Sequence, residues 1–418
     1  MFQGKLHRRS LYQAFLPASL SRFVPGNQVT LLRNGEVYFP ALEAAFDRAK
    51  HEIYLETYIY EDDATGRQIA EALLRAVRRG VKVRVLIDGY GSKDLPQSML
   101  DRLRGSGVKT HIYRPNISPW TFRRKRLRRM HRKITVVDRE IAFVGGINII
   151  DDRGPTGDIH PRYDYAVAVE GPLVDEIRLA VQRLWSKAAW RYFRKGAALS
   201  GPPLPAASPS GGRMNAALLV RDNISHRRDI ETAYLQAIEQ AESEIIIANA
   251  YFLPGLDFRH VLINAASRGV RVVLLLQGRV EYLLQHYATR ALYGNFLDAG
   301  IEIYEYRKSF LHAKVAVIDG HWATVGSSNI DPFSLLFSHE ANIAVNDEEF
   351  GATLSQSLKR TLATDGLRIL RDKWKQQPSW VRFMSWLSYG LLRLMMGISS
   401  YARENGREKN QQRSAPED

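Results

Sequence analysis

The sequence predicts an α/β protein made of two tandem copies of one α/β unit, and three observations lead to that prediction. The motif His-x-Lys-x-x-x-x-Asp occurs twice, beginning at His131 and at His312. Helical and extended patterns follow one another in the same order in both halves, as in sheets whose strands are joined by helices. An Arg-Gly-Val helix end precedes an apolar strand in each half, at Gly80 and at Gly269.

The first half begins with a helix and continues with a strand. Apolar side chains recur at helical spacing over residues 39–50, and residues 53–60 change to a β-rich run. A second helical pattern over 68–79 leads into the apolar strand 81–88. Strand, helix and strand in this order predict a parallel α/β arrangement.

The second half repeats the same plan. We predict a helix over 229–242, a strand over 244–249, a helix near 259–268 and a strand over 270–276. A last amphipathic helix, over 350–362, is predicted to cover the second sheet. The repeated unit is too long for a solenoid, so two similar domains are expected.

Composition changes along the chain suggest the domain boundaries. A Pro/Gly/Ser-rich stretch reads as a linker, and Trp, Leu, Met and Arg crowd together near the C-terminus in a pattern typical of a helix at a membrane interface. A helix packed on the protein's own core remains the alternative. The predicted parts are an N-terminal arm (1–28), a first domain (29–198), the linker (199–213), a second domain (214–372), and the amphipathic membrane-interface helix with a polar tail (373–418).

Charge and composition limit the possible functions. The formal net charge is +15, and such a basic surface attracts polyanions, either nucleic acid or an anionic membrane. The chain contains no cysteine, which excludes disulfides and thiolate chemistry. No signal peptide and no N-terminal membrane anchor are expected from the first residues.

Six basic side chains occur within Phe122–Arg129, in a segment that is present only in the first half and directly precedes the first motif. This segment is either a solvated loop or a basic collar that recruits anionic headgroups to the site. Only a collar predicts catalysis that is sensitive to salt.

The spacing of the motif indicates how its side chains are arranged. Alternation along a strand places His131 and Lys133 on one face while the apolar residues between and after them point into a core. Asp138 and Asp319 fall where a hairpin would turn, and there a structural role is as plausible as a chemical one.

Each returning strand ends in small residues followed by an Asn. These residues are Gly146 and Asn148 in the first half, and Ser327 and Asn329 in the second. We predict that they bind substrate, because small residues would leave backbone amides and the Asn side chain free to face a phosphate.

With this pair of motifs the sequence resembles the phospholipase D superfamily. The continuation Gly-Gly-x-Asn after the first motif, and Gly-Ser-Ser-Asn-x-Asp and Glu-Ala-Asn after the second, is most similar to the bacterial cardiolipin synthases of the shorter type without N-terminal membrane spans. The resemblance implies two phospholipase D-like α/β/α sandwich domains, related by pseudo-twofold symmetry, with one shared active site at their interface.

The resemblance also implies a role for each motif residue. One imidazole, assigned here to His131, attacks phosphorus to form a phosphohistidine, and His312 gives its proton to the departing alcohol. Lys133 and Lys314 would neutralise the phosphate. Asp164 and Glu340 are the candidates for orienting the two imidazoles. The predicted catalytic set is His131, Lys133, Asp138, His312, Lys314 and Asp319.

The implied reaction is a phosphatidyl transfer between two phosphatidylglycerol molecules that makes cardiolipin and releases glycerol. Other phosphatidyl donors, such as phosphatidylethanolamine, would use the same groups. No cofactor and no metal are expected, because a Lys within each motif would repel a cation. We expect a peripheral protein of the bacterial cytoplasmic membrane that contacts phospholipids and an anionic surface, and no nucleic-acid partner.

Two alternatives remain open on the sequence. A hydrolase or nuclease of the same superfamily would keep every catalytic residue and could use the positive charge on nucleic-acid phosphates. A non-enzymatic basic scaffold on membranes would have to carry both motifs without using them.

Overall fold

The computed structural model describes residues 23–115, 128–152, 161–192, 211–222, 226–331 and 338–394. Most of the predicted arm, most of the predicted basic collar, the interior of the predicted linker and the polar tail lie outside these residues. The first strand begins at Val24, so the C-terminal end of the predicted arm is part of a strand.

In chain order the first half contains β1 (Val24–Arg33), α1 (Asn34–Arg48), β2 (Glu52–Thr57), α2 (Ala64–Arg78), β3 (Lys82–Asp88), α3 (Gln97–Gly105), β4 (Lys109–Tyr113), β5 (Arg129–Met130), β6 (Lys133–Val137), β7 (Ile141–Gly145), β8 (Tyr165–Glu170) and α4 (Leu173–Tyr192). The predicted order of helix, strand, helix and strand is therefore confirmed, with boundaries shifted by a few residues. The left-handed backbone of Gly80, with φ of +89°, ends α2 and leads into β3.

The second half contains β9 (Met214–Arg221), α5 (Asp229–Gln240), β10 (Glu244–Asn249), α6 (Leu256–Ser267), β11 (Arg271–Gln277), α7 (Leu283–Arg290), α8 (Tyr293–Asp298), β12 (Glu302–Tyr306), β13 (Lys314–Ile318), β14 (Trp322–Gly326), β15 (Ser338–Asn346), α9 (Glu348–Asp365), β16 (Gly366–Arg368), α10 (Arg371–Lys375) and α11 (379–394). The two halves repeat the same order of elements, with two helices, α7 and α8, where the first half has α3. The side chain of Asp347 caps α9 by accepting a hydrogen bond from the Phe350 N–H at 2.9 Å.

One mixed sheet runs through both halves. Its strand order is β16-β12-β11-β10-β13-β14-β15-β9-β1-β8-β7-β6-β2-β3-β4. Within each half, three parallel strands adjoin an antiparallel set that carries the motif, and β1 and β9 pair at the centre. This arrangement confirms the predicted pair of α/β units.

Helices cover both faces of the sheet. The apolar faces of α1, α2 and α3 pack on the first half-sheet, and those of α5 and α6 pack on the second. On the opposite face, buried side chains of α4 and α9 such as Ile177 and Leu354 join a cluster with Ile134 and Val317 from the two motif strands. Burial of the motif strands on both faces keeps their backbone rigid, which a site made of strand residues requires.

The described part of the C-terminal helix α11 has two different faces. Ser385, Ser388 and Leu392 are buried against the second half, whereas Trp380 and Phe383 are more than 60% exposed. Within the described ranges, no helix has both the length and the apolar character needed to cross a membrane.

Candidate active site

Each motif begins with a short stretch that is hydrogen-bonded to the other half of the protein. Strand β5 pairs in parallel with the start of β15, and the His131 N–H donates to the His339 carbonyl oxygen at 3.0 Å. In the second half, the His312 N–H donates to the Tyr163 carbonyl oxygen at 2.8 Å. These contacts bring the two motifs to the junction between the halves.

Each motif histidine hydrogen-bonds a carboxylate that belongs to the other half. The Nδ1 atom of His131 lies 3.0 Å from both carboxylate oxygens of Glu340, and the Nδ1 atom of His312 lies 2.6 Å from Oδ2 of Asp164. A carboxylate accepts a hydrogen bond from Nδ1–H, which places that tautomer's lone pair on Nε2. Both residues predicted to orient the histidines are thus in contact with them, and each contact crosses from one half to the other.

The small residues after each returning strand support these carboxylates. The Ser327 hydroxyl donates to Glu340 Oε2 at 2.5 Å, and a Cβ atom at Gly146 would overlap the carboxylate of Asp164. The Gly146 N–H donates to the Tyr165 carbonyl and the Ser327 N–H to the Ala341 carbonyl. The prediction that these two amides face a phosphate was therefore wrong, because strand pairing already uses them.

The two Asn residues predicted to bind substrate are both 4% exposed. The Asn148 side-chain oxygen accepts a hydrogen bond from the Ile59 N–H at 3.1 Å and so holds the chain that follows β2. This leaves the Asn148 Nδ2 group as the part of that side chain that could donate to a phosphate. Substrate binding by Asn148 and Asn329 stays a prediction.

The motif lysines are buried at the same junction. Lys133 Nζ donates to the His131 carbonyl oxygen at 2.6 Å, and Lys314 Nζ contacts the His312 carbonyl oxygen in the same way. Burial, reinforced by the charge of Lys314, lowers the pKa of Lys133 to about 7. Burial also lowers the pKa of Lys314 to about 8, against the opposing attraction of Asp164. Two ammonium groups buried at one junction, one of which lowers the pKa of the other, favour binding of an anion.

The pKa values of the two histidines and of Asp164 are shifted as well. Burial and the Lys314 charge lower the pKa of His312 well below its ordinary value. Burial lowers the pKa of His131 against the opposing charge of Glu340. Burial raises the pKa of Asp164 to about 7. Without a bound anion, neutral imidazoles are therefore favoured at neutral pH, and a neutral imidazole is the form that can act as a nucleophile.

The two motif Asp residues lie away from this cluster. Asp138 accepts hydrogen bonds from the N–H groups of Lys50, His51 and Glu52 at 2.5 to 2.8 Å. Asp319 does the same for the residues that open β10. In each motif the Asp follows a five-residue strand that begins at the motif Lys. Roughly 15 Å of strand therefore separates the Asp from the Lys. The prediction that Asp138 and Asp319 are catalytic was wrong, because both carboxylates fix the backbone at the end of the strand opposite the motif Lys.

Sequence reasoning missed three groups that contact His131 or its two neighbours in the chain. The Tyr58 ring meets the His131 ring edge-on with centroids 4.8 Å apart, and its face lies 5.2 Å from Lys133 Nζ. Arg132 forms a buried two-point salt bridge with Glu56, at 2.5 and 2.9 Å. The Asp88 carboxylate accepts from the Met130 N–H at 2.8 Å. Glu56 and Asp88 are acidic residues at or next to the carboxyl ends of β2 and β3, where functional side chains often lie, which was the available signal.

No cluster of three or more His, Asp or Glu side chains suited to a metal ion occurs among the residues that the structure describes.

Comparison with known proteins shows similarity along most of the chain. A family model described as "Cardiolipin synthase, PLD-like domain" matches residues 42–185 and 234–362. Cardiolipin synthase B of Escherichia coli strain K12 is 40% identical over 373 residues, which cover 88% of each protein. Cardiolipin synthase of Geobacillus kaustophilus strain HTA426 is 33% identical over 322 residues, covering 76% of this chain and 62% of that protein.

A solved structure has the same fold at much lower identity. The phosphatidylserine synthase of Haemophilus influenzae Rd KW20 superposes with a TM-score of 0.64 at 14% identity, covering 95% of this chain and 98% of that one. The likeness extends over both halves and concerns the fold alone.

Proposed function

We propose that this chain, which belongs to the family of cardiolipin synthases with phospholipase D-like domains, makes cardiolipin from two phosphatidylglycerol molecules and releases glycerol. The chain is a phosphatidyltransferase of the phospholipase D superfamily. The observation that carries the finer proposal is the pair of crossed contacts, His131 with Glu340 and His312 with Asp164, beside two buried lysines.

In the first step the neutral His131 attacks the phosphorus of the donor lipid through Nε2. A bond forms between Nε2 and phosphorus while the bond from phosphorus to the glycerol oxygen breaks. The departing oxygen takes the proton of protonated His312. The Glu340 carboxylate stabilises the positive charge that develops on the His131 ring.

In the second step the roles reverse. His312, now neutral, removes the proton of an acceptor hydroxyl as its oxygen attacks phosphorus, and the phosphorus–nitrogen bond to His131 breaks. If the acceptor is a second phosphatidylglycerol the product is cardiolipin, whereas water would give phosphatidic acid. Which oxygen reaches the phosphohistidine therefore decides between transferase and hydrolase.

The lysines explain how a neutral imidazole can attack an anion. A phosphodiester bound between Lys133 and Lys314 would neutralise their mutual repulsion, and their pKa values would rise on binding. The same two charges stabilise the extra negative charge of the transition state. An anionic ligand would also raise the pKa of His312 and so allow it to carry the proton that the first step needs.

We also propose that the enzyme works as a peripheral protein of the bacterial cytoplasmic membrane. The exposed face of α11 carries Trp380, Phe383, Trp386 and Leu387, each more than half exposed. Such side chains, together with the net charge of +15, suit the headgroup zone of an anionic bilayer.

Incubation of the purified protein with labelled phosphatidylglycerol, with and without free glycerol, tests the proposal. We expect labelled cardiolipin, and less of it when added glycerol drives the reaction backward. Phosphatidic acid as the sole product would make the protein a hydrolase and would contradict the proposed transfer.

A further inference from the structure

A cleft opens beside the second motif, between the carboxyl ends of β10 and β11 and helix α7. The empty space in it, including the part that is open to solvent, is about 360 Å³. Two of its lining residues contact the neighbours of His312: the Ala250 N–H donates to the Ala313 carbonyl oxygen at 3.0 Å, and the Gln277 side chain hydrogen-bonds the Leu311 backbone. The cleft therefore lies next to the chain segment that carries His312.

The lining of this cleft is rich in groups that hydrogen-bond hydroxyls. Gln277, Glu281, Gln285, His286 and Thr289 all line it. Amide, carboxylate, imidazole and hydroxyl groups on these walls suit a small polyol better than an acyl chain, which would leave a buried group such as the Gln285 side-chain oxygen without a hydrogen bond.

The two halves differ at the position that opens this cleft. In the strand register of the two halves, Tyr58 and Ala250 occupy corresponding positions, because Leu55 pairs with Thr135 as Ile247 pairs with Ala316. The Tyr58 ring fills the space beside His131. At Ala250 no ring is present, and the cleft begins in that space.

Two arginines lie at the same end of the site. The guanidinium groups of Arg162 and Arg279 lie 5.9 and 5.3 Å from the centre of the Phe310 ring, two residues before His312. The charge of Arg162 helps to lower the pKa of His312. Burial raises the pKa of Tyr251 and of Tyr282, which line the cleft, and the charge of Arg162 opposes this rise. In the described part of the chain, no carboxylate lies within ion-pair distance of Arg162.

We propose that this cleft binds the glycerophosphate headgroup of the acceptor lipid, with its glycerol hydroxyls on the polar lining and its phosphate on Arg162. This inference rests on the proposed function and assigns the acceptor to the second half. The terminal hydroxyl then lies beside His312, which takes its proton while the hydroxyl oxygen attacks phosphorus. The bond from phosphorus to His131 Nε2 breaks, and its electron pair returns to the imidazole.

The proposal can be tested by comparing two acceptors. Phosphatidylglycerol carries a phosphate and gives cardiolipin, whereas free glycerol lacks one and only exchanges label into phosphatidylglycerol. In the full-length Arg162→Gln variant we expect the ratio of cardiolipin formation to glycerol exchange to fall about tenfold or more, as for loss of a charge-assisted hydrogen bond. Arg162→Lys, which keeps the charge without the two-point geometry, should lie between the two.

Arg271→Gln is the matched control, because Arg271 begins β11 at the opposite end of that strand from Gln277. Its ratio should equal that of the unchanged protein. An unchanged ratio in Arg162→Gln, whether both activities are retained or both fall equally, would overturn the acceptor site. If the unchanged protein exchanges glycerol but forms no cardiolipin, the proposed function fails instead.

A second variant tests the cleft itself. Ala250→Phe places a ring where Tyr58 has one and should fill the space beside His312. We expect transfer to glycerol and to phosphatidylglycerol to fall at least about tenfold relative to hydrolysis by water, since a water molecule needs no polyol pocket. An unchanged ratio of transfer to hydrolysis would show that the alcohol binds elsewhere.

Discussion

His131 and Glu340 are separated by 209 positions in the sequence, yet Nδ1 of the imidazole lies 3.0 Å from both carboxylate oxygens. The corresponding contact of His312 with Asp164 spans 148 positions in the opposite sense. Neither half therefore supplies both the histidine and the carboxylate of either motif pair.

Replacing Glu340 by Gln should impair catalysis without removing the side chain's volume. A neutral amide no longer stabilises the positive imidazole, so we expect kcat to fall roughly 10²- to 10⁴-fold. Steady-state kinetics on mixed micelles would measure this. Glu349→Gln, on the exposed first turn of α9, is the matched control, and similar losses in both variants would refute the role of Glu340.

The phosphohistidine should form on His131. Rapid quenching of the enzyme with labelled phosphatidylglycerol, followed by digestion and mass spectrometry under alkaline conditions, would locate the modification. The Nε2 atom of His131 is free to react because Glu340 holds Nδ1. A label on His312 alone would exchange the roles of the two histidines.

The pH profile should report the two buried lysines. Their pKa values of about 7 and about 8 lie below the ordinary value, and an amine is charged only below its pKa. In the free enzyme positive charge is therefore lost as pH rises from about 7 to 8, and kcat/KM should fall over that range. Bound phosphate raises both pKa values, so the fall in kcat should occur at higher pH. Coincident alkaline limbs in kcat and kcat/KM would contradict this explanation.

Asp138→Asn should affect stability more than chemistry. The carboxylate accepts three backbone N–H groups, and an amide can accept them only through its one oxygen. We expect a loss of about 1 to 3 kcal/mol in the free energy of unfolding, measured by denaturant titration, with kcat of the folded enzyme changed less than tenfold. A loss of kcat comparable to that of a His131 variant would restore the catalytic role.

The exposed face of α11 should decide membrane binding. The double substitution Trp380→Ser and Phe383→Ser removes two side chains that are more than 60% exposed, and we expect it to weaken sedimentation with anionic phosphatidylglycerol vesicles at least about tenfold. The control is Thr353→Ser on the exposed side of α9. Equal sedimentation of the double variant and the control would exclude α11 as the docking element.

The sequence was sufficient for the two-unit fold because helical and strand periodicities are local, and the duplicated motif linked the halves. It also identified both carboxylates. It did not show that each of them contacts the histidine of the other half, because contacts over 148 and 209 positions leave no local pattern. The prediction that the amides of Gly146 and Ser327 face a phosphate was wrong because the pairing of these amides with the neighbouring strands depends on sheet order. The difference between Tyr58 and Ala250 became visible only once the strand registers were known.

The exchange of carboxylates also bears on how such a protein could have arisen. A single unit with one motif has its acid out of reach of its own histidine, so it could complete the site only by associating with an identical copy around a twofold axis. Fusing two such copies into one chain would preserve both contacts and free each copy to diverge. The small side chain at residue 250, where the first half has an aromatic ring at residue 58, is a difference between the copies that a strictly symmetric homodimer could never acquire.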